Sequence, residues 1–303
     1  MVIHMRFLYR LAVFVRKIMP YRLYCKMVGD SYSADIAKMK KDIWHSKELY
    51  QLFKPEIDYM KKQGRLYVFP YPFHEKYKGL GTKVYHDADG MGYVLHCGKK
   101  LFFPKEWPEP QIRSYYNGLL AEQDARSPHC YFTDTFRLMR GGLLVDAGCA
   151  EAMTSLECVD VASELYLFEY DEKWFSALKK TFHGYEDKVH IIRKFVSDKS
   201  EGKFIRLDDV LNEEILDNRE CLLKMDIEGN EASALKGAEK LLAYDKLKIA
   251  CCLYHNKEDE DVLSAILEQA GFRLEISKGH MLQYFHEGLE YPYFRKVLAR
   301  AAK

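Results

Sequence analysis

The sequence carries no excess of charge of either sign. Lys plus Arg total 46 and Asp plus Glu total 45 in 303 residues, a formal net charge of +1. A polyanion binder usually shows a basic surplus, and an acidic solvating tail the reverse, so nucleic acid is not an expected partner. Long hydrophobic runs are also missing. Leu11–Val15, the longest apolar run near the N-terminus, is too short for a transmembrane helix or a signal-peptide core. The eight cysteines, at 25, 97, 130, 149, 158, 221, 251 and 252, contain no C-x-x-C pair and no zinc-finger spacing. Scattered free thiols suit a reducing cytosol better than a disulfide framework does, so a cytoplasmic location is expected. There are no repeats and no low-complexity segments. A G-x-G-x-x-G fingerprint and a P-loop are both absent, which argues against a nicotinamide-dependent oxidoreductase and a P-loop nucleotide site.

What is present has the texture of a folded chain long enough for two domains. Phe7, Leu11, Phe14, Val15 and Ile18 fall on one helical face, with Arg6, Arg10 and Lys17 away from it. Such a helix can lie on an anionic membrane. Apolar stripes are more often core, so packing on its own domain is the favoured expectation. Residues 33–60 read as helical, through Ile36, Met39, Ile43 and Trp44. Residues 66–103 turn β-rich, with a strand over 66–69 and hairpin signals at Asp89-Gly90 and Gly98-Lys99. Residues 108–123 read as a helix.

From Gly142 onward strands and helices alternate. Strands are expected over 143–145, 165–169, 189–192, 221–225 and 249–253, then an antiparallel pair over 272–276 and 281–285. This is an α/β pattern: a Rossmann-like, mostly parallel sheet with ligands at the carboxyl ends of its strands. The expected division is a smaller α+β extension over 1–140 and a sheet domain over 141–303. Asp208 is an expected N-cap for the short helical stretch that follows it.

Chemistry concentrates at the strand ends. The first junction, VDAGCAEAMTS (145–155), ends its strand on Asp146 and follows with Gly148, which lets backbone approach a ligand closely. Asp146 would repel a phosphate and suit an ammonium or sulfonium. Glu169 ends the second strand 23 residues later, the spacing of an acid that bonds a ribose diol.

The stretch LLKMDIEGNEASALKGAEKLL (222–242) resembles the FkbM-type family of S-adenosylmethionine-dependent methyltransferases. The family hallmark, K-[ILM]-D-[VI]-E-G-x-E followed by L-K-G-A, stands here as Lys224-Met225-Asp226-Ile227-Glu228-Gly229, Glu231 and Leu235-Lys236-Gly237-Ala238. The VDAG start and FEYD at 168–171 match in order and spacing. The resemblance implies a seven-stranded sheet with an antiparallel last strand, and S-adenosylmethionine as cofactor. It implies that Asp146, Gly148 and the loop of Cys149, Ala150, Glu151 and Ala152 flank the methionine end. It also implies that Glu169, with Tyr170, takes the ribose, that Ser197 lies near the adenine, and that Asp226 faces the transferred methyl. The family commonly reads D-x-G-A-N-x-G; here Ala150 takes the Asn position and Ala152 the second Gly. Alanine is harmful there if the loop requires positive φ.

Methyl transfer needs an aligned hydroxyl and gains from a base. His255, after the fifth strand in CCLYHNKED, is the expected base, and Asp226 is the second candidate catalytic residue. Lys224 is expected to pair with Asp226 or Glu228. No metal is expected: Asp226, Glu228 and Glu231 read as solvated or helix-capping acids. His86 and His96-Cys97 read as hairpin residues with no third ligand in view. The expected activity is O-methylation of a hydroxyl on a sugar, glycan or secondary metabolite, in the manner of polysaccharide biosynthesis. The alternative is a methyltransferase-fold binding module with weakened or lost catalysis. A small-molecule or glycan acceptor is the expected partner, and the N-terminal helices could mediate a homodimer.

Overall fold

Short apolar runs build the centre of the fold. In the computed structural model, which describes residues 35–283 and 291–303, seven strands form the main sheet. They are β1 (Leu143–Ala147), β2 (Glu164–Phe168), β3 (Val189–Ile192), β4 (Cys221–Met225), β5 (Leu247–Cys252), β6 (Arg273–Ile276) and β7 (Leu298–Ala302). Their order across the sheet is β6-β7-β5-β4-β1-β2-β3. β7 runs antiparallel to both β5 and β6, and the other pairings are parallel. The Rossmann-like expectation is met. The order reverses at β1, with β2 on one side and β4 on the other, which opens a crevice beyond the carboxyl ends there.

Both sheet faces are covered, so the strands read as continuous apolar runs rather than alternating ones. Leu143, Val145, Ala147, Leu223, Met225, Ile249 and Cys251 share one core cluster. Leu144, Leu165, Leu167, Leu222, Ala250 and Cys252 share the other.

The seventh strand is not the expected one. Of the expected strand 281–285, residues 284–285 lie outside the described residues, and Met281–Leu282 pairs with Phe294–Arg295 in a separate two-stranded ladder instead of joining the main sheet. Leu298–Ala302 inserts between β5 and β6 instead. Its alanines favour helix in isolation, but the slot buries Leu298, Ala299 and Ala301 almost completely, and tertiary burial outweighs local propensity. Residues 66–69 also fail to form a strand.

Contacts divide the chain into two units: residues up to 72 with 280–295, and 73–279 with 296–303. This differs from a boundary at 140, and the reason is packing. The hairpin of Gly92–His96 and Lys99–Phe102 and the helix Glu109–Glu122 place Val94, Leu101, Ile112 and Tyr116 in the same core as Leu144 and Leu156. The first unit has its own core of Met39, Ile43, Leu49, Ile57, Met60 and Phe294, built on residues 35–45 and the helices Lys47–Leu52 and Lys54–Gln63. The N-terminal amphipathic stripe and Cys25 lie outside the described residues. Among the described residues no helix is long and apolar enough to cross a membrane. The seven described cysteines are free thiols.

Asp208 does cap a helix, though not the next one. Its carboxylate accepts the Lys240 and Leu241 amides, both at 3.0 Å, at the start of the helix Glu239–Ala243.

Candidate active site

Register places Asp146 of β1 directly beside Lys224 of β4. Lys224 Nζ lies 2.9 Å from Asp146 Oδ1 and donates to the Gly148 carbonyl at 2.7 Å. Ser155 Oγ donates to Asp146 Oδ2 at 2.5 Å. Asp146 is only 1% exposed, so it braces the turn from within rather than offering a free carboxylate to a ligand. Lys224 thus forms its ion pair across the sheet with Asp146, rather than with Asp226 or Glu228, the two partners expected. Burial opposes its charge, and the Asp146 and Asp226 carboxylates more than restore it.

The turn itself is tightly constrained. Gly148 has φ 75°, and a Cβ there would lie 2.0 Å from the Asp226 carbonyl oxygen. Ala150 and Ala152 both sit in the left-handed region, at φ 46° and 60°. The loop therefore follows a glycine-type path without glycine, at a cost of roughly 1–2 kcal/mol per alanine. Cys149 is buried, with its thiol pushed well above the usual range by burial. Glu151 is also buried, accepts the Tyr115 hydroxyl at 2.9 Å, and is raised by burial.

Glu169 follows β2. Its Oε2 accepts the Ala150 amide at 3.1 Å and its Oε1 the Asp171 amide at 2.6 Å. Each oxygen keeps a further lone pair for a hydroxyl. Burial raises this carboxyl. Next to it in sequence, Tyr170 stacks on the exposed ring of Phe195, with centroids 4.2 Å apart. Ser197, by contrast, is turned inward. Its hydroxyl lies 3.2 Å from Ser233 Oγ, and its carbonyl is so close to Gly237 that a Cβ there would be 2.1 Å away. Ser197 seats the helix Glu231–Lys236.

Asp226, just beyond β4, gathers the residues that sequence reading did not find. Tyr131 donates to Oδ2 at 2.6 Å and Tyr254 to Oδ1 at 3.2 Å. His255 Nε2 is 3.3 Å from Oδ1, and His129 Nε2 is 3.9 Å from Oδ2 and 3.1 Å from the Tyr254 hydroxyl. Burial opposes charge on Asp226, but the His255 hydrogen bond and the Lys224 cation outweigh it and hold the carboxyl well below the usual range. Burial pushes His129 down to about 4. Burial, with the charges of Asp226 and Glu151, pushes Glu122 up to about 8.

His255, the expected general base, sits between two carboxylates. Its Nδ1 lies 3.0 Å from Glu231 Oε1 while Nε2 faces Asp226. Burial opposes the cation, yet hydrogen bonds to these two acids push the ring up to about 10. Placed between these two carboxylates, His255 ties the loops after β4 and β5 together. Glu231 is fully buried and also accepts the Ile227 amide at 2.9 Å, whereas Glu228 is exposed. The acids of the hallmark thus separate into Asp226 in the site, Glu231 beneath it and Glu228 in solvent. The available signals for the missed residues were Tyr254 beside His255 and the polar segment SPHCYF (127–132).

Residues 164–287 match the methyltransferase FkbM domain family. No curated protein matches the chain. Solved structures similar to it include methyltransferase FkbM from Methylobacillus flagellatus KT, 18% identical, covering 64% of this chain and 55% of that one, with a TM-score of 0.44. Precorrin-6y C5,15-methyltransferase from Geobacter metallireducens is 13% identical over 55% of this chain and 84% of its own, TM-score 0.39. SMU.1697c from Streptococcus mutans, in complex with SAH, is 14% identical over 54% and 90%, TM-score 0.37. The chain spans little more than half the length of the first of these. The family match begins at β2 and takes in Glu169, the Lys224–Glu231 hallmark and His255. Residues 164–287 thus carry the match to the methyltransferase FkbM domain family.

Proposed function

We propose that this chain is an S-adenosylmethionine-dependent methyltransferase acting on a hydroxyl of a sugar, glycan or secondary metabolite. The observation that carries the reading is the succession of the Gly148 turn, Glu169 and Asp226 beyond three adjacent strands, β2, β1 and β4. The residues suit the cofactor. Glu169 has lone pairs for the ribose diol, Tyr170 and Phe195 offer an aromatic face, and Glu151 and Asp226 supply negative charge for the ammonium and sulfonium. Ala150 and Ala152 retain the left-handed loop path, which supports cofactor binding in an active enzyme and in the binding-module alternative alike.

The bound cofactor supplies an electrophilic methyl on sulfur. The protein's task is alignment, worth up to about 7–11 kcal/mol in well-oriented systems. Asp226 stays ionised, fixed by Tyr131, Tyr254 and His255, and can accept a hydrogen bond from an acceptor hydroxyl. So weak a base contributes little by proton removal, and orientation carries most of its effect. The acceptor class rests on the family alone, and pairing of two chains in solution is a further part of the proposal. Incubation with methyl-labelled S-adenosylmethionine and a panel of hydroxylated sugars tests the reading. Label transfer that falls at least tenfold in Asp226→Asn, by more than any loss of cofactor affinity, is expected. Cofactor binding without label transfer to any acceptor would favour the binding-module alternative.

A further inference from the structure

A second cluster of chemistry lies outside the residues used above. The hairpin Gly92–His96 to Lys99–Phe102 turns through Cys97 and Gly98, at φ 50° and 78°. Two left-handed residues make the tight turn that favours Asn-Gly or Asp-Gly. Cysteine pays a steric penalty there, and it brings its Sγ to 3.8 Å from His96 Nε2. The helix Met153–Cys158 brings Glu157 Oε1 to 2.8 Å from the same nitrogen. The other ring nitrogen of His96, Nδ1, lies 2.9 Å from the Tyr116 hydroxyl. His96 is 5% exposed, while Cys97 is open to solvent.

We propose that His96 Nε2, Cys97 Sγ and Glu157 Oε1 form a binding site for a zinc-class divalent transition-metal ion. The three donor atoms lie within 4.8 Å of one another. Tetrahedral bonds of roughly 2.0–2.3 Å require donors about 3.3–3.8 Å apart. The nitrogen–sulfur gap already meets this, and the nitrogen–oxygen gap must open by a few tenths of an ångström. Imidazole, thiolate and carboxylate together select a borderline ion over magnesium or calcium. With Nε2 on the ion, Nδ1 carries the ring proton and donates it to the Tyr116 hydroxyl, which fixes the ring as outer partners of metal-bound histidines do. Burial and the Glu157 charge raise the Cys97 thiol. Binding releases that proton to solvent and replaces it with a cation that Glu157 attracts. The open side at Cys97 leaves the fourth position to water. The ion would pin the hairpin to the helix that follows the cofactor loop.

Cobalt titration of the full-length protein tests this, because a thiolate ligand gives a near-ultraviolet charge-transfer band. One equivalent of Co²⁺ should produce the band, Zn²⁺ should abolish it, and Zn²⁺ should raise the melting temperature. Cys97→Asn provides the control: Asn suits the turn, so the variant should fold at least as stably without metal, yet give no band and no zinc shift. Glu157→Gln should weaken Zn²⁺ binding at least tenfold. A wild-type protein with neither band nor zinc shift would overturn the proposal. So would a band unchanged in Cys97→Asn, which would place the ion elsewhere, such as at His129, Asp226 and Cys252.

Discussion

Lys224 shows why single residues near the site carry large energies. It neutralises a buried carboxylate and holds the carbonyl of the Gly148 turn at once. Lys224→Met leaves Asp146 charged and buried, so a loss of about 3–5 kcal/mol is expected in a denaturant titration. Gly148→Ala should be worse than its size suggests, since the methyl meets the Asp226 carbonyl and the backbone resists its φ. Calorimetry should show SAH affinity falling at least tenfold, with stability lower as well. Ala152→Gly should act in the opposite direction. Relief of the left-handed strain exceeds the entropy cost of glycine, so the gain is up to about 1 kcal/mol, read from the melting temperature. At this scale the strand-end positions of Gly148, Glu169 and Asp226 were legible, because each follows an apolar run in a local pattern. Tyr131 was not, because it reaches Asp226 from 95 residues away. No local periodicity encodes such a contact. The same limit hid Glu157 from His96 and Cys97.

Among the elements, β7 is where sequence reading failed and where the fold depends most on distant contacts. The parallel strands announce themselves as apolar runs. Leu298–Ala302 does not, because its small side chains record only the narrow slot between β5 and β6. Arg300 on this strand is a cation turned into the protein. It is buried, donates to the Tyr131 carbonyl at 3.1 Å and to the Cys130 carbonyl, and pairs with Glu275 at 2.9 Å. β7 therefore holds the SPHCYF segment that supplies Tyr131 and His129. Arg300→Met should cost about 2–4 kcal/mol, because two buried carbonyls lose their donors. Removal of residues 298–303 should abolish cooperative thermal unfolding, seen by circular dichroism, because the gap lies within the sheet and not at its edge.

The whole molecule should show the site in its pH dependence of stability. Glu122 and His255 have folded values raised above their unfolded ones, to about 8 and about 10. Stability from Glu122 is fully present below about 4.5 and lost as pH rises through about 8; that from His255 is present below about 6.5 and lost through about 10. Asp226 and His129 are depressed, so their contributions are lost as pH falls. Maximal stability is thus expected near pH 5–6. Glu122→Gln should make the protein about 1–2 kcal/mol more stable than wild type near pH 9, after allowance for partial exposure, and unchanged near pH 4. Denaturant titrations across this range would check both ends. The central claim is the cofactor site, and calorimetry with SAH tests it most directly. Wild type should give saturable one-to-one binding, and Glu169→Ala should weaken it at least tenfold with an unchanged fold, as expected for losing charge-assisted hydrogen bonds of about 1.5–3 kcal/mol. No binding to the folded wild-type protein at roughly millimolar SAH, or equal affinity in Glu169→Ala, would contradict the account.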